Sequence, residues 1–336
     1  MNYLVLEIWN VLNNPDAVPD FLAKLESETY DKVILISANE WEYKSIMGLH
    51  WSEFIRITTQ KNIQVELIAG LNKLLTPVPV LPNVNVIYWD KYWLIKTYAM
   101  VNHVPRPSEY KYHFISMNNA AHSHRCHLLD LVAKHDLVKD NAISWLNGRA
   151  YDDPYEWRYH TPVTTQLNEK NVMWDQYILP REYDESFAQL ISESTMQAIE
   201  LSEKTATPLM IGKPFISAAA PGVSNLMTEL GFELYTEMFD YSFDMIDDQE
   251  KRFDLIVENF KRLSETPLKE LSSLYDAIKP KLLHNQNRMR EIAFDFDSWP
   301  EPAKEIVAVH RRTGKILDRD IINIYTTLRK KQRTKI

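Results

Sequence analysis

A chain of 336 residues is long enough for two domains, and a hydrophobic share of 45% with 25% charged residues fits a globular protein with real cores. The formal net charge of -8 argues against wholesale nucleic-acid binding, and with only 7 glycines there is no G-x-G-x-x-G and no Walker loop. The single cysteine, Cys126, excludes an intrachain disulfide and fits a reducing compartment.

The opening MNYLVLEIWNVLNN lacks the basic start of a signal peptide, and no run reaches the ~18 apolar residues that a membrane span needs. A cytoplasmic location is therefore expected. KVILISAN, residues 32–39, is a β-branched run that predicts a buried strand. A helix is expected over 51–60, strands over 63–70 and 84–90, and a helix over 91–100. A strand over 112–118, an amphipathic helix over 124–137 and a strand over 141–147 follow. Strand and helix alternating through short connections predict a parallel α/β domain over 1–150.

From about 148 the periods fail. Tyr151, Asp152, Asp153, Pro154, Tyr155, Trp157, Tyr159, His160 and Pro162 crowd together, which predicts an interdomain segment over 151–182. Alternation returns in a second α/β domain over 183–300. Its expected elements are a strand at 187–194, a helix at 203–211, a strand at 213–220 and a Pro221-Gly222 turn. A helix ended by Gly231, a strand at 232–235 and long helices over 247–265 and 267–291 complete it. A basic helical tail is expected over 301–336; from His310 to the end Arg311, Arg312, Lys315, Arg319, Arg329, Lys330, Lys331, Arg333 and Lys335 face only Asp318 and Asp320. That tail reads either as a solvated, partly frayed terminal helix or as a peripheral contact for phosphates of a membrane surface or of DNA.

Two clusters suggest metals and fall away. In HSHRCH only His124 and His127 share a helix face, and no second cysteine cluster completes a zinc site. The DFD of 295–297 follows the late helices rather than a strand end and reads as a solvated loop. No metal is expected.

In open parallel sheets ligands sit at the carboxyl ends of the strands. The stretch ISESTMQAIELSEKTATPLMIGKPFISAAAPGVSNLMTELGFELY occupies such positions. Its landmarks, in order, are Ser192-Glu193-Ser194, Ser202-Glu203-Lys204-Thr205, Pro214-Phe215, Pro221-Gly222 and Leu230-Gly231-Phe232. DYSFDMIDDQEKR at 240–252 and LLHNQNRM at 282–289 follow. The pattern resembles the donor-binding half of glycosyltransferases of bacteriophages and large viruses, distant relatives of the fucosyltransferase-like families. Upstream, FISMNNAAHSHRCHLLDLV keeps Asn118, His124 and Arg125 of that pattern but carries Asn119 and Ala120 where two arginines are usual. The resemblance covers roughly 112–290.

The resemblance implies two Rossmann-like halves facing a central cleft (the GT-B arrangement), a nucleotide diphosphate-sugar as co-substrate, no cofactor and no obligatory metal. For a viral protein the location would be the host cytoplasm. A departing nucleoside diphosphate develops negative charge, which cations and helix N-termini stabilise. Lys204 stands in a first helical turn, against the dipole, so a bound phosphate would explain its position. The alternative is an ordinary cap, with Ser202 as N-cap, Glu203 as a first-turn acid and Lys204 solvated. Glu203, Thr205 and Glu193 are expected at the donor, Glu193 being otherwise an exposed turn acid. Arg125 is a diphosphate clamp or a surface ion pair, and Asn118 lies at the same strand end.

The expected function is transfer of a sugar to a hydroxyl acceptor, either a surface glycan or a modified DNA base. Glu40, after an early strand, is the expected catalytic base, with Asp90 in an equivalent position. The alternative is a non-catalytic nucleotide-sugar- or glycan-binding protein of the same fold, which Asn119-Ala120 motivates.

Overall fold

The structure is a computed structural model, and it describes residues 2–7, 17–37, 50–70, 82–103, 109–119, 121–145, 155–159 and 179–334. Two compact units divide the chain: Met1–Ala99 with Ala293–Ile336, and Met100–Ile292. Each is mixed α/β and, among the described residues, carries a sheet of four strands that pair in parallel.

In the first unit, β1 (Tyr3–Glu7), α1 (Ala17–Ser27), β2 (Lys32–Ser37), α2 (Trp51–Gln60), β3 (Gln64–Ala69), β4 (Val84–Tyr88) and α3 (Tyr92–Met100) follow in order, with the strands lying β1-β2-β3-β4 across the sheet. β2 is central, and Val33, Ile34 and Leu35 are wholly buried, as a strand covered on both faces requires. Phe21, Leu22 and Leu25 of α1 and Phe54 and Ile57 of α2 close one face over them. Neither β1 nor α1 is legible as an element in the sequence reading.

The second unit holds β5 (Tyr112–Asn118), α4 (Ser123–Lys134), β6 (Ala142–Trp145), α5 (Arg181–Glu185), β7 (Ser186–Ser192), α6 (Glu203–Ile211), β8 (Phe215–Ala218), α7 (Val223–Glu229) and α8 (Gln249–Ser264). Its strand order is β6-β5-β7-β8. The chain steps from β5 outward to β6, then returns past β5 to lay down β7 and β8. The winding therefore reverses between β5 and β7, the kind of place where open α/β sheets bind ligands. Among the described strands of the first unit the order is sequential and no such reversal occurs.

Residues of α9 (Leu271–Phe294) belong to both units, since the division falls after Ile292. α10 (Glu301–Thr313) and α11 (Arg319–Arg333) then complete the first unit. Trp299 meets Trp89 with ring centroids 5.3 Å apart, and Phe294 meets Tyr98 at 5.6 Å. Lys96 Nζ lies 2.5 Å from Asp320 Oδ2, and Lys331 Nζ donates to the Tyr98 carbonyl at 2.8 Å. The tail is thus docked rather than frayed, with Ile321, Ile322, Ile324 and Leu328 of α11 buried.

The expected division of 1–150, 151–182, 183–300 and 301–336 is corrected by the strand pairing. β5 and β6 share a sheet with β7 and β8, so the boundary lies at Ala99/Met100. Alternation in sequence reports that strands exist, not which of them pair, and the aperiodic stretch after β6 lies within the second unit. Within that stretch Tyr155–Tyr159 are described. Asp130 of α4, wholly buried, accepts from the Tyr155 hydroxyl at 3.0 Å and from the N–H groups of Arg158 and Tyr159 at 2.8 and 2.7 Å. The strand expected at 232–235 is absent. Those residues are irregular and are held by Asn285 of α9, which accepts from Glu233 N–H at 2.8 Å and donates to Glu233 O at 2.9 Å. The DFD stretch forms a short 3-10 turn, Phe296–Ser298, with Asp295 accepting from Ser298 N–H at 3.3 Å. No helix among the described residues is long and apolar enough to cross a membrane.

Asp318, the buried N-cap of α11, accepts from Ile321 N–H at 2.7 Å, and burial pushes its carboxyl up to about 6. A raised carboxyl contributes stability that is present below its unfolded value and is lost as pH rises through its folded value. Asp318→Asn keeps an acceptor at the cap without the charge. Its stability relative to the parent should therefore climb by about 2–3 kcal/mol between roughly pH 4 and pH 7. Urea denaturation across that range measures it, and a pH-independent difference contradicts it.

Candidate functional site

The reversal of winding places the carboxyl ends of β5 and β7 side by side. Pairing of Ile115 with Gln189, continued along both strands, brings Asn118 next to Ser192. Both are buried. Asn118 Nδ2 donates to Ser116 Oγ at 3.1 Å, while Asn118 Oδ1 and Ser192 Oγ have no hydrogen-bond partner among the described residues. A buried polar atom left in this state costs about 1–3 kcal/mol, so its presence is not explained by folding.

Glu193 follows directly and lies at the centre of the cluster. It is 2% exposed rather than an exposed turn acid. Its Oε2 accepts from Ser202 Oγ and its Oε1 from Thr205 Oγ1, both at 2.5 Å. Burial raises its carboxyl above the ordinary value, and Lys204 and the two hydroxyls oppose that rise. The Glu193 carbonyl takes His124 Nε2 at 2.9 Å and Arg125 Nη2 at 3.4 Å, both from the first turn of α4. A carbonyl only accepts, so Nε2 of His124 carries its proton. The start of α4 is thereby fixed across the β5–β7 junction.

α6 opens at the same end of the sheet. Ser202 is its N-cap, accepting from Lys204 N–H at 3.2 Å while donating to Glu193. One hydroxyl thus serves as helix cap and carboxylate partner together. Lys204 is not solvated: its Nζ lies 2.7 Å from Ser194 Oγ and 2.8 Å from Glu203 Oε1. Glu203 is buried, and its Oε2 has no hydrogen-bond donor among the described residues. Gly212 ends the helix in the left-handed region at φ 80°, where an added Cβ would come within 2.9 Å of Gln286.

The sequence-predicted residues Asn118, Arg125, Glu193, Glu203, Lys204 and Thr205 therefore converge on one end of one sheet. Thr205 sits behind Glu193 as a support rather than toward a ligand, and Arg125 is held against a backbone carbonyl. Ser192, Ser194 and His124, landmarks in the sequence but not among the expected donor contacts, belong to the same cluster. The repeated serines around Glu193 were the available signal. Glu40 lies outside the described residues, and Asp90 is an exposed turn residue of the first unit. Among the described residues no group of histidine, cysteine, aspartate and glutamate side chains could hold a metal ion.

The later landmarks act as clamps around this site. Asp244 accepts from Ser224 N–H at 2.9 Å and Asn225 N–H at 3.2 Å and so caps α7, while Gly222 at φ 90° makes the turn before it. From LLHNQNRM, Gln286 holds the Met210 carbonyl at 3.1 Å, Arg288 that of Leu230 at 2.7 Å and His284 that of Gly231 at 2.9 Å. These are the unpaired carbonyls at the ends of α6 and α7, so the motif ties α9 to both helices.

No family model matches the chain, and no curated protein sequence matches it. A solved α1,3-fucosyltransferase is similar over 85% of this chain and 93% of its own, at 10% identity and a TM-score of 0.36. No residue role is carried over from a likeness of that depth.

Ser202→Ala removes the cap of α6 and a donor to a buried carboxylate at once. It should cost about 2–4 kcal/mol, more than a cap alone. Urea denaturation of the variant measures this, and a loss of under about 1 kcal/mol contradicts the double role.

Proposed function

We propose that the chain is a glycosyltransferase that binds a nucleotide diphosphate-sugar at the β5–β7 junction and passes the sugar to a hydroxyl acceptor. The observation that carries this reading is Glu203, a buried carboxylate at a helix N-terminus with one oxygen on Lys204 and the other without a donor among the described residues. Unfilled acceptors suit ligand O–H or N–H groups. Among the described residues Glu203 Oε2 and Asn118 Oδ1 are both of this kind, and Ser192 Oγ has no partner there either. A phosphate offers no such donors at neutral pH, whereas a ribose or hexose offers several. The ends of α4 and α6, with Arg125 and Lys204, supply the opposite need, positive potential for an anion. A single ligand that joins hydroxyls to a diphosphate meets both. The ordered landmarks from Ser192 to Phe232 support the same reading from the sequence side.

In this scheme the sugar–phosphate bond breaks as the acceptor oxygen attacks the anomeric carbon, and the nucleoside diphosphate leaves with the bonding pair. Lys204 exchanges its contact with Ser194 for the departing diphosphate, and Glu203 holds ligand hydroxyls. Arg125 adds its charge beside the Glu193 carbonyl. Glu40 remains the proposed base. The acceptor is a glycan or a modified base, and the chain's two parallel α/β sheets would then be the halves of a GT-B enzyme.

A thermal-shift screen of UDP-, GDP-, ADP- and CMP-sugars tests the reading. A donor at a hundred times its Kd adds about 2.7 kcal/mol of apparent stability. With the donor so found, Lys204→Ala should weaken binding roughly ten- to a hundredfold for both the sugar nucleotide and the free nucleoside diphosphate. Glu203→Gln should weaken the sugar nucleotide more than inorganic diphosphate, since it disturbs hydroxyl recognition. Calorimetric titration reads both, and unchanged affinities in both variants would leave Ser202-Glu203-Lys204 as a helix cap alone. Binding without turnover would favour the non-catalytic alternative that Asn119 and Ala120 suggest.

A further inference from the structure

The basic residues of the C-terminal region do not form one patch. Arg329 lies over the Phe296 ring at 4.4 Å from its centroid and donates to Gln332 at 3.0 Å, and Lys331 holds the Tyr98 carbonyl. The turn between α10 and α11 is different. Arg311, Arg312, Lys315 and Arg319 are all exposed, and among the described residues none has an ion-pair partner. The acids that follow them in sequence are occupied: Asp318 caps α11 from within the core, and Asp320 is bound by Lys96. At the tip, Ile316 is 57% exposed.

Helix stability accounts for only part of this. Arg311 and Arg312 lie in the last turn of α10, where cations favour the dipole. Arg319 is the first residue of α11, where a cation is unfavourable, and Lys315 and Ile316 lie outside either helix. Cations flanking an apolar tip complement a surface that is anionic at its face and hydrocarbon beneath.

We propose that the α10–α11 turn docks the protein on an anionic lipid bilayer, with Arg311, Arg312, Lys315 and Arg319 at the headgroups and Ile316 below them. A nucleic acid offers phosphates but no apolar layer for Ile316, and the turn carries no aromatic side chain for base stacking. Each basic residue near such a surface strengthens partitioning about fivefold. The association falls with salt, because exposed charges are screened. This inference concerns the first unit alone and does not depend on the donor site.

Co-sedimentation with phosphatidylcholine–phosphatidylserine vesicles, against pure phosphatidylcholine, tests it. The full chain should bind the mixed vesicles and not the neutral ones. Lys315→Glu with Arg312→Glu should lower binding by a hundredfold or more, and Ile316→Ser should lower it several-fold without changing the salt dependence. Arg333→Glu, an exposed charge at the far end of α11 and roughly 20 Å away, should leave binding within about twofold. The far-UV spectrum and melting temperature of each variant check that it is folded. Absence of binding to mixed vesicles, equal loss from Arg333→Glu and Lys315→Glu, or tighter binding to duplex DNA than to vesicles at the same salt would each overturn the proposal.

Discussion

Taking the Glu193 carboxylate out of water dictates most of what surrounds it. A buried carboxylate in a parallel sheet is tolerated only with several donors at hand. Two come from α6, through Ser202 and Thr205, and the positive end of that helix with Lys204 adds to them. Its backbone carbonyl draws His124 and Arg125 from α4 to the same point. One residue thus fixes where two helices begin relative to two strands. The clamps from Gln286, Arg288 and His284 then secure the opposite ends of α6 and α7. The helices that bear the cluster are held at both ends, so their backbone is preorganised.

The same constraint separates what supports from what recognises. Thr205 and Ser202 have no hydroxyl donor to spare for a ligand once they serve Glu193. Among the described residues, Glu203, Asn118 and Ser192 each keep an atom without a hydrogen-bond partner at the same end of the sheet. A folding requirement alone would remove such atoms, since apolar replacements of similar shape cost nothing in hydrogen bonds. Their retention beside a topological reversal is the physical content of the candidate site.

Much of this was legible in the sequence for definite reasons. The strands at 32–37, 64–69 and 84–88 are short runs carrying β-branched residues, that at 112–118 is a short aromatic and apolar run, and the helix at 51–60 falls where its pattern places it. Six candidate residues converge because the landmarks follow strand ends, and strand ends in a parallel sheet share one edge. The domain division was not legible, because the return of the chain from β6 to β7 is a pairing between distant strands that local periodicity does not encode. β1 was hidden by Glu7 and by its brevity. The burial of Glu193 is invisible for another reason: an acid between two serines looks like an exposed turn until the first turns of α4 and α6 are packed against it.

The chain enters the second unit after Ala99 and leaves it after Ile292, so that unit is one uninterrupted stretch inserted into the first. The first unit is therefore assembled from two segments separated by the whole of the second. On the ribosome, the sheet of the second unit is complete before α10 and α11 are synthesised. Until residues 293–336 arrive, Trp89, Tyr98 and Lys96 lack Trp299, Phe294 and Asp320. The order of translation thus makes the inserted unit the early folder and leaves its host the last to close, with an aromatic surface that the nascent chain must keep from other partners in the meantime.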